Sequence, residues 1–178
     1  MFVDEAGVNR KMTRRYARAH RSRRAVGHAP AGWGKNTTLT GAMSASGMLV
    51  LSRRVGGGTT PPRRGGREAS FLAFVLDELC PVLTSGQTVV LDNLSAHKAS
   101  EVREAIEAVG CRVLFVPPYS PEYNAIEKAW SKLKAALRRI GARTPDSLEV
   151  AITDAAATIT ASDAANWIRG AGYVLAPT

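Results

Sequence analysis

The period of the apolar positions changes several times along the chain, and each change marks an element. "MFVDEAGVN" predicts the end of a short strand running into a turn, with Asp4 at its end. "KMTRRYARAHRSRRAVGHAPAG" carries no sustained apolar period and predicts a basic loop. "NTTLTGAMSASGMLVLSRR" predicts a hairpin of two strands rich in Thr, Leu, Val and Met, turning near Ser46 and Gly47. The Gly, Pro and Arg content of "VGGGTTPPRRGGRE" predicts an irregular loop over about residues 53–68, with a third strand left short or frayed.

Helical spacing returns with Phe71, Phe74, Val75 and Leu79, and Pro81 is predicted to stop that helix. "QTVVLD" predicts a buried strand, and "CRVLFV" another, ended by Pro117 and Pro118. Between them "ASEVREAIEAVG" predicts an amphipathic helix with Val102, Ile106 and Val109 on one face and Gly110 as C-cap. In "YSPEYNAIEKAWSKLKAALRRIG", Ser120 is the predicted N-cap and Pro121 the first residue of one long helix. Its buried stripe is Ile126, Trp130, Leu133, Leu137 and Ile140, and Arg138 and Arg139 complement the dipole at its last turn. Thr144 and Pro145 open a further helix, and a last short one covers "DAANWIRGAG". Strands interleaved with helices in this order predict an α/β fold, a mixed sheet flanked by helices.

Length adds that 178 residues fit one ordinary domain with a real core. No apolar run approaches the roughly 18 residues of a membrane span, and no basic-then-apolar leader opens the chain. Cys80 and Cys111 both lie in apolar segments, which predicts buried free thiols in a reducing compartment. Charge changes the picture more. The net charge of +9 is concentrated in residues 1–67, which hold 14 Lys and Arg against Asp4 and Glu5. Such a basic half favours a polyanion, because each phosphate contact releases condensed counterions. Arg10, Lys11, Arg14, Arg15, Arg18, Arg21, Arg23, Arg24 and Lys35 are the candidate DNA-binding residues, with a merely solvated basic loop as the alternative.

Chemistry enters with "VVLDNLSAHKASEV", where an apolar strand ends on Asp92. In open α/β sheets ligands bind at the carboxyl edge, although taken alone Asp92 serves equally well as a turn cap. Asp4 ends the first strand, and Glu127 lies one turn before Trp130, predicted to border the core. If the first and fourth strands are parallel neighbours, Asp4 and Asp92 end side by side and the long helix brings Glu127 against both. Three carboxylates so close repel unless a cation joins them, and hard divalent cations do this with carboxylate oxygens. Two such ions activate a water and stabilise a leaving oxygen in phosphodiester cleavage. Glu104 and Glu107 read as solvated charge, and alternation places Glu5 on the opposite face from Asp4. A glycosidase with paired carboxylates needs no metal and leaves the basic half unexplained.

"VDEAG", "VVLDNLSAHKASEV", "VLFVPPYSPEYNAIEKAWSKLK" and "WIRGAGY" together resemble the catalytic domain of IS630-type transposases, within the Tc1/mariner superfamily of DDE/DDD recombinases. The 34 residues between Asp92 and Glu127 match that group's spacing. The resemblance covers nearly the whole chain except about residues 53–68. It implies an RNase H-like fold with a mixed five-stranded sheet, and Asp4, Asp92 and Glu127 as catalytic, metal-binding acids for two Mg²⁺ or Mn²⁺ ions. It further implies DNA cleavage at transposon ends by water, then attack of the freed 3′-OH on target DNA. Asn93, His97, Tyr119, Ser120 and Asn124 fall on motif residues expected to support the triad; His97 equally suits a satisfied residue at a helix start. Transposon-end and target DNA, a homodimer and a separate N-terminal DNA-binding product are the partners it implies, in a bacterial cytoplasm at the nucleoid and away from membranes.

Three departures from the family pattern accompany the resemblance. The family's helix-turn-helix region ahead of the first acid is expected to be missing, Ala125 replaces a proline in "NAIE", and "RRVGGGTTPPRRGGREASF" resembles translation in a shifted frame. They give a competing expectation, a catalytically inactive, truncated remnant that binds DNA non-specifically through its basic half. The chain alone is expected to nick DNA weakly with Mg²⁺ or Mn²⁺ and to show no specific end cleavage.

Overall fold

The computed structural model describes residues 1–28, 30–31, 35–56 and 66–175, with side chains from residue 68 onward in the last stretch. Five strands form one sheet: β1 (Phe2–Val8), β2 (Thr37–Ser44), β3 (Gly47–Val55), β4 (Thr88–Leu91) and β5 (Arg112–Phe115). Their order is β3-β2-β1-β4-β5, with β1, β2 and β3 antiparallel neighbours and β1, β4 and β5 parallel ones. Five helices cover it: α1 (Gly66–Phe74), α2 (Ser100–Ala108), α3 (Ile126–Ile140), α4 (Pro145–Ala157) and α5 (Ala161–Gly170). This is the mixed five-stranded sheet flanked by helices that the sequence predicts.

The twofold alternation of β1 builds two cores. Phe2, Ala6 and Val8 face α3, α4 and α5 and pack with Val90, Trp130, Leu133 and Ile152. Val3 faces the other way, into Phe71, Leu79, Val89, Leu91 and Ile106. Of the helix starts, Thr144 and Thr160 each close a reciprocal capping box, with Ser147 and Asp163.

Several expectations need correction. Asp4 sits in the middle of β1, which runs on to Val8, because its pairing with β2 extends from Phe2↔Met43 to Val8↔Thr37. The third strand is neither short nor frayed: β3 is nine residues long and paired through Val55. Of the expected irregular loop, residues 53–55 belong to β3 and those from Gly66 to α1, while 57–65 lie outside the described residues, as do Ala29 and Gly32 of the basic loop. The helix that Pro81 was expected to stop passes through a π-helical turn at Val75–Leu79 and ends in a 3-10 turn, Cys80–Val82, that contains the proline. Strand β5 is the sheet edge, so Arg112 and Leu114 are exposed instead of buried. Val109 and Ile140 fall outside their buried stripes, at the very ends of α2 and α3. Gly110 follows α2 in the left-handed conformation, as its predicted capping role needs. The two thiols are free, but only Cys111 is buried; Cys80 is half-buried.

The predicted single long helix is two elements. Pro121–Tyr123 form a 3-10 turn, Asn124 is extended at φ −100° and ψ 96°, and α3 starts only at Ile126. Ser120 does not cap it; its hydroxyl donates to the Pro118 carbonyl at 3.3 Å.

Candidate active site

Register decides where the acids meet. Phe2 of β1 lies opposite Val90 of β4, so Asp4, two residues further along β1, runs beside the end of β4 that leads into Asp92. Alternation turns Asp4 toward the face that α3 covers, the side of Phe2 and Ala6. Asp4 is buried, 5% exposed, and the Trp130 indole N–H donates to its Oδ2 at 3.1 Å. Burial pushes the Asp4 carboxyl up to about 7; the Glu5 backbone N–H opposes this, and the charges of Glu127 and Asp92 add to it. With two anionic neighbours and little water, this carboxyl gives up its proton only near neutral pH.

The indole reaches Asp4 because Gly41 leaves room. Gly41 faces Asp4 across the β1–β2 ladder, and a Cβ there would lie 2.7 Å from Trp130 Cη2. Gly41 and the indole's hydrogen bond are functional features that periodicity did not find. The available signal was an isolated glycine inside a strand pattern, which marks close approach of another group.

Asp92 lies one residue past β4. The Leu94 N–H donates to its Oδ1 at 3.1 Å, and His97 Nδ1 shares the same oxygen. Burial works upward on this carboxyl, but the His97 bond and charge and the Leu94 N–H outweigh it and hold Asp92 below the usual carboxylate range. His97 is fully buried in the 3-10 turn Ser95–Lys98, its ring centroid 4.0 Å from that of Phe71, and its Nε2 has no partner. The histidine therefore does more than begin a helix: it fixes one oxygen of Asp92.

Glu127 is the second residue of α3 and is exposed, not bordering the core as expected, because Ile126 and Trp130 occupy the buried face. It lines a cleft of about 490 Å³ with Asp92, Asn93, Lys98 and Asn124, walled by Pro117, Pro118 and Pro121. The Asn93 amide donates to the Val116 carbonyl at 3.4 Å, tying the Asp92 loop to the end of β5. Asn124 is 3% exposed, and its Oδ1 has no partner. Tyr119 is left-handed, φ 57°, with its ring wholly in solvent on the cleft rim, and Ser120 bonds only its own loop, so neither packs behind the acids. Lys98, exposed in the same cleft, was not anticipated.

The three acids thus surround one region without closing on one point. Among the described residues no group of three or more His, Cys, Asp or Glu side chains is placed to hold an ion. In the basic segment Arg14, Arg15, Arg18, Arg21, Arg23, Arg24 and Lys35 are exposed, and Arg10 and Lys11 half-buried. Its start is anchored by Arg143, whose Nη1 donates to the carbonyls of Arg10 at 2.9 Å and Met12 at 3.1 Å.

The sequence signature described as DDE superfamily endonuclease matches residues 1–150. The chain belongs to the DDE superfamily endonucleases. Its fold is similar to that of Mos1 transposase, and is RNase H-like. The Mos1 paired-end complex with the left transposon end superposes with a TM-score of 0.68 at 20% identity, covering 94% of this chain and 50% of that one. The Mos1 strand transfer complex gives 0.66 at 20% identity over 94% and 49%. A Mos1 mariner paired-end complex with Mn gives 0.64 at 18% identity over 94% and 50%. The chain therefore spans about half the length of these transposase chains. No curated protein matches it.

Proposed function

We propose that this DDE endonuclease domain is the catalytic domain of an IS630-type transposase, acting on 1–178 as one unit, with Asp4, Asp92 and Glu127 as its catalytic acids. In this reading it cleaves transposon-end DNA and joins the freed 3′-OH to target DNA, at the bacterial nucleoid. The observation that carries it is that Asp92 and Glu127 line one cleft while Asp4, on the strand beside β4, lies close enough to feel the charges of both.

The donor set has the chemistry that a hard divalent cation takes: three carboxylates, one of them raised to about 7 by burial and by its anionic neighbours. Mg²⁺ or Mn²⁺, as one or two ions, would be held by Asp4, Asp92 and Glu127, and a similar fold has been solved with Mn. When bound, such a cation supplies activation of the attacking oxygen and neutralises charge at the phosphodiester. The chain's own residues position. His97 and the Leu94 N–H hold Asp92 through one oxygen. Trp130 does the same for Asp4. Lys98 places a positive charge in the cleft where a phosphate would lie. The exposed basic segment gives phosphate contacts without reading sequence.

A second reading, a catalytically inactive remnant that binds DNA through its basic half, is favoured by one fact: the acids do not close on a common point. Supercoiled-plasmid nicking separates the two. Wild type, Asp92→Asn and Glu127→Gln are compared with Mg²⁺, Mn²⁺ and EDTA. The catalytic reading expects weak metal-dependent nicking by wild type and at least a tenfold loss in each variant. Equal nicking by all three, or nicking that survives EDTA, would refute it.

A further inference from the structure

The cleft lined by Asp92 and Glu127 is not the only concave site with strong chemistry. A second cavity of about 670 Å³ lies between residues 13–28 of the basic segment and the C-terminal end of α3. Arg14 and Arg15 line it from the segment; Arg138, Arg139 and Arg143 line it from the helix end, and no Asp or Glu does. Arg143 makes the cavity, since its bonds to the carbonyls of Arg10 and Met12 fold the segment back onto the helix. The ion pairs of the described residues are Arg53–Glu149, His97–Asp92, Arg103–Glu107 and Lys132–Asp163, so none neutralises these arginines. The simpler explanation is that Arg138 and Arg139 complement the dipole of α3, which ends at left-handed Gly141. That dipole end carries only about half a negative charge, and five arginines line the cavity beside it. Burial, and after it the charge of Arg15, pulls Arg138 below its usual range.

We propose that this arginine cleft seats backbone phosphates of the DNA on which the acids act. Resting on the DNA reading above, the proposal adds a place and a spacing. Arg138 follows Glu127 by 11 residues on one helix, or about 17 Å at a rise of 1.5 Å per residue. Duplex DNA rises about 3.4 Å per base pair, so on a duplex lying along α3 the seated phosphates are about five base pairs from the reacting bond.

The test measures binding of a 20-base-pair duplex of arbitrary sequence, without metal, across a series of salt concentrations. The variants are Arg138→Ala/Arg139→Ala, Arg138→Lys/Arg139→Lys, and the control Arg112→Ala/Arg169→Ala, which removes two exposed charges elsewhere; circular dichroism and thermal melting check each fold. Each phosphate contact contributes about 0.9 to the slope of log affinity against log salt. The alanine pair is expected to flatten that slope by about two, the lysine pair to restore most of it, and the control pair to leave it within about 0.5 of wild type. An alanine pair with the wild-type slope, or a control pair that loses as much, overturns the cleft and leaves the DNA reading standing. A wild type that binds no duplex overturns both. Inorganic tripolyphosphate, titrated in parallel, identifies the source of the phosphate. If it binds wild type and not the alanine pair while duplex binding is unchanged between them, the site takes free polyphosphate and the DNA placement is wrong.

Discussion

Gly41→Ala tests whether the approach of α3 to the sheet sets the site. The added Cβ would stand 2.7 Å from Trp130 Cη2, 3.1 Å from its Cζ2 and 3.2 Å from Met48 Sδ. Carbon atoms rest about 3.5–4.0 Å apart, so the indole must move by about 1 Å. Met48 can move aside, but the indole cannot do so freely: Trp130 is 1% exposed inside the core beneath the sheet. Overpacking of this kind costs about 1–3 kcal/mol, while replacing a strand glycine with alanine returns about 0.5–1 kcal/mol. A net loss of about 1–2 kcal/mol is expected, lowering the melting temperature by about 2–8 °C at this chain length.

The same displacement takes the indole N–H from Asp4, 3.1 Å away. Metal-dependent nicking should fall at least tenfold, as misplacement on this scale does at reacting centres. Stability gives a readout independent of activity. Trp130→Phe removes both the clashing ring atoms and the N–H, so Gly41→Ala in that background should cost at least about 1 kcal/mol less than in wild type. Contacting residues couple on this scale, whereas independent ones add to within about 0.3–0.5 kcal/mol. The reasoning fails if Gly41→Ala melts with wild type, or if the two substitutions add.

Three further outcomes are expected. Asp4 has a folded pKa of about 7 against an ordinary 3.8, so the folded state binds the extra proton between these values. Stability of the metal-free protein should fall as pH rises from about 4 to about 7, by at most about 4 kcal/mol. Urea melts of wild type and Asp4→Asn across that window check this: the variant should lose most of the slope, and a wild type whose stability rises through it contradicts the assignment. Asp92 has the opposite sign, since a lowered carboxyl loses its stabilisation only as pH falls below 3.8. His97→Phe keeps a ring beside Phe71 but frees Asp92; nicking should drop about 10- to 100-fold, and full activity in a folded variant would remove His97 from the site. Tyr119→Gly releases a left-handed backbone from a side chain that buries nothing. Thermal melting should show it about 1 kcal/mol more stable, and a destabilised variant would show that the ring makes contacts.

The end of β4 before Asp92 and the buried stripe of α3 were legible because local rules placed them. An apolar run ended on Asp92 before turn-forming residues, and helical period placed Trp130 inside and Glu127 beside it. Local rules also gave the Thr144 cap and most strands. What they missed depends on residues distant in the chain. The Trp130–Asp4 hydrogen bond joins positions 126 apart. The edge position of β5 follows from sheet order, which "CRVLFV" does not encode, and so its outer residues looked buried. The 3-10 turn at Pro121–Tyr123 and extended Asn124 interrupt a sequence with good helix-start chemistry, and Ser120 turns back to Pro118 instead of capping. Glu127 was misjudged by one step around the helix: α3 turns about 100° per residue, enough to carry a neighbour of buried Ile126 into solvent.

Helix α3 carries more of the site than its one acid. Its first turn presents Glu127, its second turn supplies the indole that holds Asp4, and its last turn supplies two arginines of the second cleft. It is fixed at three places: by Trp130 against Gly41, by Lys132 to Asp163 at 2.6 Å and the Thr158 carbonyl at 2.7 Å, and past its end by Arg143 on the basic segment. A helix so held moves as a unit if it moves at all, since its backbone hydrogen bonds resist bending within a few turns. Displacing the indole therefore shifts Glu127 and the arginines with it, whereas truncating the arginines leaves the indole in place. Gly41→Ala should affect both nicking and the salt slope, and the arginine variants mainly the slope. That asymmetry follows from the helix being the common support, and it distinguishes a positional defect from a lost phosphate contact.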